Sequence, residues 1–180
     1  MIALDEFIEA TMDLKKGELL RSPHDPNWLS DCEQYRENGY SYWRPVRQKE
    51  PVDFLELENA LDVKIHKDIK NYYGTYWSGT LEGNSREGPL SLIQLWNPED
   101  YERLIGNLIG HALSKKRIGA PLTIFFATTN PESEFFLSLE NQSGAVFLEE
   151  PSTSRLKEID SDIHRFLKRL APSSRETVIY

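Results

Sequence analysis

The carboxylates are the residues of this chain best suited to chemistry, and they come in groups. Glu82 and Glu87 flank a glycine-containing stretch, Glu132, Glu134 and Glu140 border another turn, and Glu149 with Glu150 ends the strand that follows it. Gathered on one concave face, they would attract a cationic ligand, because low-dielectric walls concentrate their field and speed association. Spread over a solvated surface, they would only keep the chain soluble. Tyr42 and Trp43, helped by Tyr40, Tyr76 and Trp77, could floor such a face, since aromatics serve interfaces as well as cores. For any one of them the plainer role is core packing.

The same residue types do not assemble into a catalytic signature. Neither a phosphate-binding glycine loop, nor a G-x-S-x-G elbow, nor an H-E-x-x-H helix occurs. His24, His66, His111 and His164 are far apart in sequence. Asp160, Asp162 and His164 are close, but positions i and i+2 of a helix point in different directions. No metal, no cofactor and no enzymatic activity are therefore expected. His111 reads as a helix-surface or core-edge histidine that bonds locally. Cys32 is the single cysteine. It excludes an internal disulfide, fits a reducing compartment, and reads as a small buried side chain.

The balance of 29 acids against 21 lysines and arginines leaves a net charge of −8. That speaks against nucleic acid, whose phosphates require cationic partners, and against direct adhesion to anionic lipid. It permits a basic partner. No apolar run approaches the roughly 20 residues of a membrane span. The first 16 residues, MIALDEFIEATMDLKK, interleave acids with apolar positions and do not read as a signal peptide.

Positioning falls to the stretch Leu90–Thr128, which reads as strand, helix, strand. Leu90 to Trp96 is apolar apart from Ser91 and Gln94. Asn97 is a capping residue, Pro98 suits the first helical position, and Glu99 and Asp100 suit the positive end of the helix. Tyr101, Leu104, Ile105, Leu108, Ile109 and Ala112 then make one apolar stripe. Lys115, Lys116 and Arg117 suit its negative end, Gly119 closes it, and Pro121 prevents continuation. Leu122 to Thr128 is a second strand.

Around this unit the pattern predicts a helix over residues 1 to about 20 and a loop over 21–39, with Trp28 and Leu29 anchoring it. An aromatic strand over Tyr40–Val46, interrupted by Pro45, follows. A short helix carries Phe54, Leu57 and Leu61, and a second carries Ile69, Tyr72, Tyr73 and Tyr76. A short strand over Trp77–Leu81, then a turn or mobile loop over Glu82–Pro89, leads into the central unit. Beyond it, Glu134–Glu140 and Ala145–Glu149 form a hairpin. A closing amphipathic helix carries Leu156, Ile159, Ile163, Phe166, Leu167 and Leu170. Residues 171–180 read as a frayed tail. The whole, residues 1–180, is expected to be one α+β domain: a mostly antiparallel sheet with helices packed on one side.

The chain resembles the Syd family, the SecY-interacting proteins, within the SUKH superfamily. The resemblance rests on Leu92-Ile93-Gln94-Leu95-Trp96, Asp100-Tyr101, Asn107-Leu108-Ile109-Gly110-His111, Lys115-Lys116-Arg117 and Pro121-Leu122-Thr123-Ile124-Phe125. Tyr42-Trp43-Arg44-Pro45 upstream and Ser143-Gly144 downstream extend it to essentially the whole chain.

The resemblance implies a cytosolic protein held peripherally at the cytoplasmic side of the inner membrane by SecY, the translocase channel subunit. It implies a check on SecY assembly, or negative regulation of the translocase, through an electronegative concavity. Cytoplasmic loops of membrane proteins are rich in lysine and arginine, which suits an acidic partner. On this reading Glu82, Glu87, Glu132, Glu134 and Glu140 are the candidate contact acids. Reversal of Glu82, Glu87, Glu132 and Glu134 to lysine should weaken binding without unfolding the chain. The alternative is an immunity-type module of the same superfamily that binds a toxin or another basic protein.

Overall fold

The computed structural model describes residues 1–129, 133–151, 153 and 156–174. Helix α1 is Ile2–Leu14. Strands β1 (Leu20–Pro23), β2 (Glu33–Glu37) and β3 (Tyr40–Trp43) form a small antiparallel sheet in the order β1-β3-β2. Strand β4 (Val46–Arg47), helices α2 (Leu55–Leu61) and α3 (Lys67–Tyr73), and strand β5 (Tyr76–Trp77) follow, with β4 paired to β5. The remaining elements are β6 (Leu81–Ser85), β7 (Gly88–Leu92), α4 (Pro98–Arg117), β8 (Thr123–Thr128), β9 (Phe136–Glu140), β10 (Val146–Glu149), β11 (Leu156–Asp160), α5 (Ile163–Lys168) and β12 (Ala171–Pro172). They build a seven-stranded antiparallel sheet in the order β11-β10-β9-β8-β7-β6-β12. The fold is α+β, as the pattern implied. Among the described residues, no helix is long and apolar enough to cross a membrane.

The central unit forms as its residues dictate, except that its first strand ends at Leu92 rather than running to Trp96. The Asn97 side chain accepts the Asp100 amide at 2.8 Å, Pro98 opens α4, and Leu104, Ile105, Leu108 and Ala112 are buried along its stripe. Alternate strand residues face one apolar cluster. Leu90, Leu92, Ile124, Leu137, Leu139 and Val146 of the sheet meet Leu4 and Phe7 of α1 and Phe166 and Leu167 of α5 there. Tyr72 and Tyr73 of α3 are fully buried, so their hydroxyls need partners. Tyr72 donates to the Ile93 carbonyl at 3.0 Å and Tyr73 to the Phe125 carbonyl at 2.8 Å.

Several local expectations are corrected. Residues 21–39 hold β1 and β2 rather than a loop. Asn38 and Gly39, at φ 51° and 79°, make the tight turn from β2 to β3. Residues 82–89 are a β6–β7 hairpin, its pairs running from Leu81–Leu92 to Ser85–Gly88. Helix α1 stops at Leu14, and Lys16 and Gly17 turn the chain with positive φ. Tyr76 lies in β5, because α3 ends before Gly74.

The closing helix is shorter than expected. Leu156–Asp160 pairs with β10, and the side chain of Asp162 caps α5 by accepting the Arg165 amide at 2.8 Å. Leu156 and Ile159 fit helical spacing, but a sheet edge and a later cap overrule it. Ala171 and Pro172 of the presumed tail pair with β6, and residues 175–180 lie outside the described residues.

Glu58 of α2 gives the fold a testable pH dependence. It is 4 % exposed and pairs with Lys70, accepts the Ile65 amide at 2.9 Å and pairs with Lys64 at 3.0 Å. Lys70 first, then the Ile65 amide, draws its carboxyl from the ordinary 4.5 down to about 2. A lowered folded-state pKa stabilises above the unfolded value, and the contribution fades as pH falls from about 4.5 toward about 2. Glu58→Gln should lower the urea midpoint at neutral pH and lose that deficit in acid. A deficit of the same size at both ends would show that the charge of Glu58 is not what matters.

Candidate functional site

Cross-strand pairing sets Glu82, Ser91, Thr128, Phe136 and Glu149 in one row across β6 to β10. The C-terminal half of α4 covers one end of this row. His111 meets Phe125 and Phe136 edge-on and lies 2.9 Å from the Thr123 hydroxyl, and Lys115 pairs with Glu149. Burial holds the His111 imidazole below its ordinary pKa. It is the locally bonded, core-edge histidine expected.

The other end of the row is not covered in this way. There the small sheet, the N-terminal part of α4 and the crossings Ser78–Thr80 and Ile93–Trp96 enclose a cleft of about 460 Å³. Arg21, Trp43 and Thr80 also line a second cavity of about 360 Å³ that reaches Glu18 and Glu82, and Trp96 is shared with a third that reaches Asp31 and Glu99. The three share these wall residues and are taken together as a groove. Six acids line it (Glu18, Asp25, Asp31, Glu82, Glu99 and Asp100) against three bases, Lys15, Arg21 and Arg103.

Local bonding explains why the groove holds its shape. The loop before β2 is clamped to the chain leading into α4. Trp96 Nε1 donates to the Trp28 carbonyl at 2.7 Å, Asn97 Nδ2 donates to the Leu29 carbonyl at 2.9 Å, and the Ser30 hydroxyl bonds the Trp96 carbonyl. Leu29 was expected to anchor this loop, yet its side chain is exposed and its carbonyl makes the contact. Cys32 beneath it is fully buried, and burial pushes its thiol up to about 12, which makes it a packing residue.

Trp43 stands edge-on to Trp96, with ring centroids 5.7 Å apart, and lies flat against Gly79. A Cβ on Gly79 would sit 2.5 Å from Trp43 Cζ2. Gly79→Ala should therefore cost about 1–3 kcal/mol through displaced packing, together with a shift in tryptophan emission. An unchanged urea midpoint and emission would mean that the indole has room to move aside.

The residues singled out from sequence divide. Glu82 and the aromatic pair Tyr42 and Trp43 come together in the second cavity, where the Ser91 hydroxyl lies 2.9 Å from both Glu82 carboxylate oxygens. Tyr42 stacks on Tyr35 at 4.5 Å. Glu87, in the β6–β7 turn, lines a smaller cavity whose wall includes Ser133 and Phe135, the neighbours of exposed Glu134. Burial works to raise the Glu87 pKa, but Arg169, 3.0 Å away, takes it below the ordinary range. Glu140 closes the β9–β10 turn by accepting the amides of Gln142 and Ser143. Glu132 lies outside the described residues.

Sequence reasoning did not single out Asp25, Asp31, Glu99 and Asp100 as a groove set. Their clustering depends on the loop clamped to Trp96 and Asn97, which no local pattern announces. Asp160 and Asp162 serve structure, the first accepting Arg169 Nε at 2.8 Å and the second capping α5.

The sequence was compared with known proteins. The profile of the family described as Syd protein (SUKH-2) matches residues 2–172. Protein Syd of Pseudoalteromonas atlantica is 37% identical over 180 residues, covering 97% of this chain and 96% of the relative. Protein Syd of Alteromonas mediterranea is 36% identical over 171 residues, covering 94% of each. Protein Syd of Colwellia psychrerythraea is 34% identical over 164 residues, covering 86% of this chain and 82% of the relative. With a match this long and this even along a chain whose aromatic strand, capped helix and hairpin all form, the protein belongs to the Syd family.

Proposed function

We propose that this chain is a non-enzymatic binding protein for the basic cytoplasmic loops of SecY. In this reading it checks SecY assembly or restrains the translocase. Membership of the Syd family supports it, and the observation that carries it is the groove, where acids outnumber bases two to one. A cationic loop drawn into such a groove gains from its field, while a net charge of −8 keeps the protein off anionic lipid unless SecY holds it there. The protein is then cytoplasmic and peripheral at the inner membrane through its partner. Glu82 with Tyr42 and Trp43 forms part of the contact. Glu87, Glu134 and Glu140 lie outside the groove and extend the field that guides encounter.

Reversing the exposed groove acids, in Asp25→Lys/Asp31→Lys/Glu99→Lys, should weaken binding to solubilised SecY by at least about tenfold, with the melting temperature nearly unchanged. Glu134→Lys should act mainly on the association rate. Unchanged affinity in the triple variant would remove the groove from the contact. Strong capture of a cytosolic basic protein, with none of SecY, would favour the immunity-type reading instead.

A further inference from the structure

Two residues that line the 460 Å³ cleft carry buried polar groups with no partner among the described residues. Gln94 is 5 % exposed and Trp43 3 % exposed, and Gln94 Oε1, Gln94 Nε2 and Trp43 Nε1 meet no hydrogen-bond partner of good geometry among the described residues. Such groups are rare in folded proteins because leaving them unpaired is costly. The Tyr72 hydroxyl donates to the carbonyls of Ile93 and Phe126, and its oxygen is, among the described residues, the one neighbouring side-chain group placed to interact with the Gln94 amide, which leaves the rest of that amide's bonding capacity open. The chain leaves β7 after Leu92, and Ser78 N–H takes the Leu95 carbonyl at 2.8 Å. The Gln94 side chain therefore sits in a crossing, outside any strand ladder.

We infer that Gln94 and Trp43 form a recognition site for an amide group, a peptide unit of an extended segment lying in the groove. Their inventory decides the chemistry: three N–H donors, two on Gln94 and one on Trp43, of which a peptide oxygen can take two, and one carbonyl acceptor. A peptide group is the complement, its oxygen able to accept two bonds and its N–H to donate one. The match is the same whichever way the Gln94 amide is turned.

A cationic head at this depth is a poorer fit. Two of the charges lining the cleft are already engaged with each other: Asp100 takes Arg103 at 2.5 Å and the Trp96 amide at 3.0 Å, and Arg103 lies over the Trp28 ring at 5.4 Å. The volume is within the range of ligand sites, and Trp43 also lines the second cavity. The inference rests on the groove being the partner's binding surface. It adds that acids steer the partner while a neutral pair in the cleft wall holds its backbone.

N-acetylglycine N-methylamide, titrated at millimolar concentration into the ¹⁵N-labelled chain, tests it. Saturable shifts are expected at the Trp43 indole and Gln94 side-chain amide resonances, with none at the Trp77 indole. Methylguanidinium should not reproduce them. Gln94→Met removes the unpaired groups at similar volume, so it should raise the melting temperature while weakening the amide's effect on Trp43 about tenfold. A lowered melting temperature would show that Gln94 has a structural partner and would overturn the inference. So would shifts with methylguanidinium and none with the amide. If a SecY loop peptide binds Gln94→Met and the wild type equally, and the amide probe is silent, this inference fails and the SecY reading stands. If the probe shifts both resonances while no SecY loop binds, the amide site stands and the SecY reading fails.

Discussion

Lys115→Met should lower the stability of the fold by about 3–5 kcal/mol, the usual cost of removing one partner of a buried ion pair. The Lys115 side chain is 5 % exposed and that of Glu149 is 0 % exposed. The ammonium pairs with one carboxylate oxygen of Glu149, and the Ser138 hydroxyl bonds the other. The pair ties the last turn of α4 to β10 and β9. Without the ammonium, a fully buried carboxylate keeps one hydroxyl. The double variant Lys115→Met/Glu149→Leu should recover most of the loss, because an apolar pair needs no desolvated charge. Urea unfolding of the wild type and the two variants measures both. A single-variant loss below about 1 kcal/mol would place the pair in effective contact with water.

Phe126→Ala should cost about 3–5 kcal/mol, the range for deleting a buried ring. Phe126 has no exposure and makes edge contacts with Tyr72 of α3 at 5.6 Å and Phe166 of α5 at 5.8 Å. It also sits where β8 bulges against β9. Its carbonyl takes the Ile93 amide at 2.9 Å, so it holds the start of the crossing that carries Gln94. The variant should lose partner affinity as well as stability. Full affinity in a folded Phe126→Ala protein would mean that the crossing keeps its place without the ring.

What could be read from the sequence was local. The cap at Asn97, the proline after it and the apolar stripe specify α4 without help from elsewhere, and α4 forms as read. Lys115 shows the limit. Its spacing sets it with Lys116 and Arg117 at the negative end of the helix, but its partner is Glu149, 34 residues later. A charge can be buried only if a distant opposite charge arrives, and spacing within one element does not report that. Glu149 was taken as a strand-end acid for the same reason. At 38–39 the signal was present, since Asn-Gly is a strong hairpin turn, but polar and proline-rich surroundings masked it.

The candidate site was legible in part. Glu82, Tyr42 and Trp43 were named, and they do converge. Asp25, Asp31, Glu99 and Asp100 come from two segments that meet through the Trp28–Trp96, Leu29–Asn97 and Ser30–Trp96 bonds. Gln94 looked like one polar residue in an apolar strand. Its importance rests on the strand ending two residues earlier.

The most direct test of the account is the affinity of the chain for solubilised SecY between about 50 and about 300 mM salt, a range over which exposed charges become screened. Binding led by the acidic groove predicts a steep fall in association rate with salt, and a shallower fall in Asp25→Lys/Asp31→Lys/Glu99→Lys. An affinity for SecY that does not change with salt, and is equal in the two proteins, would contradict it.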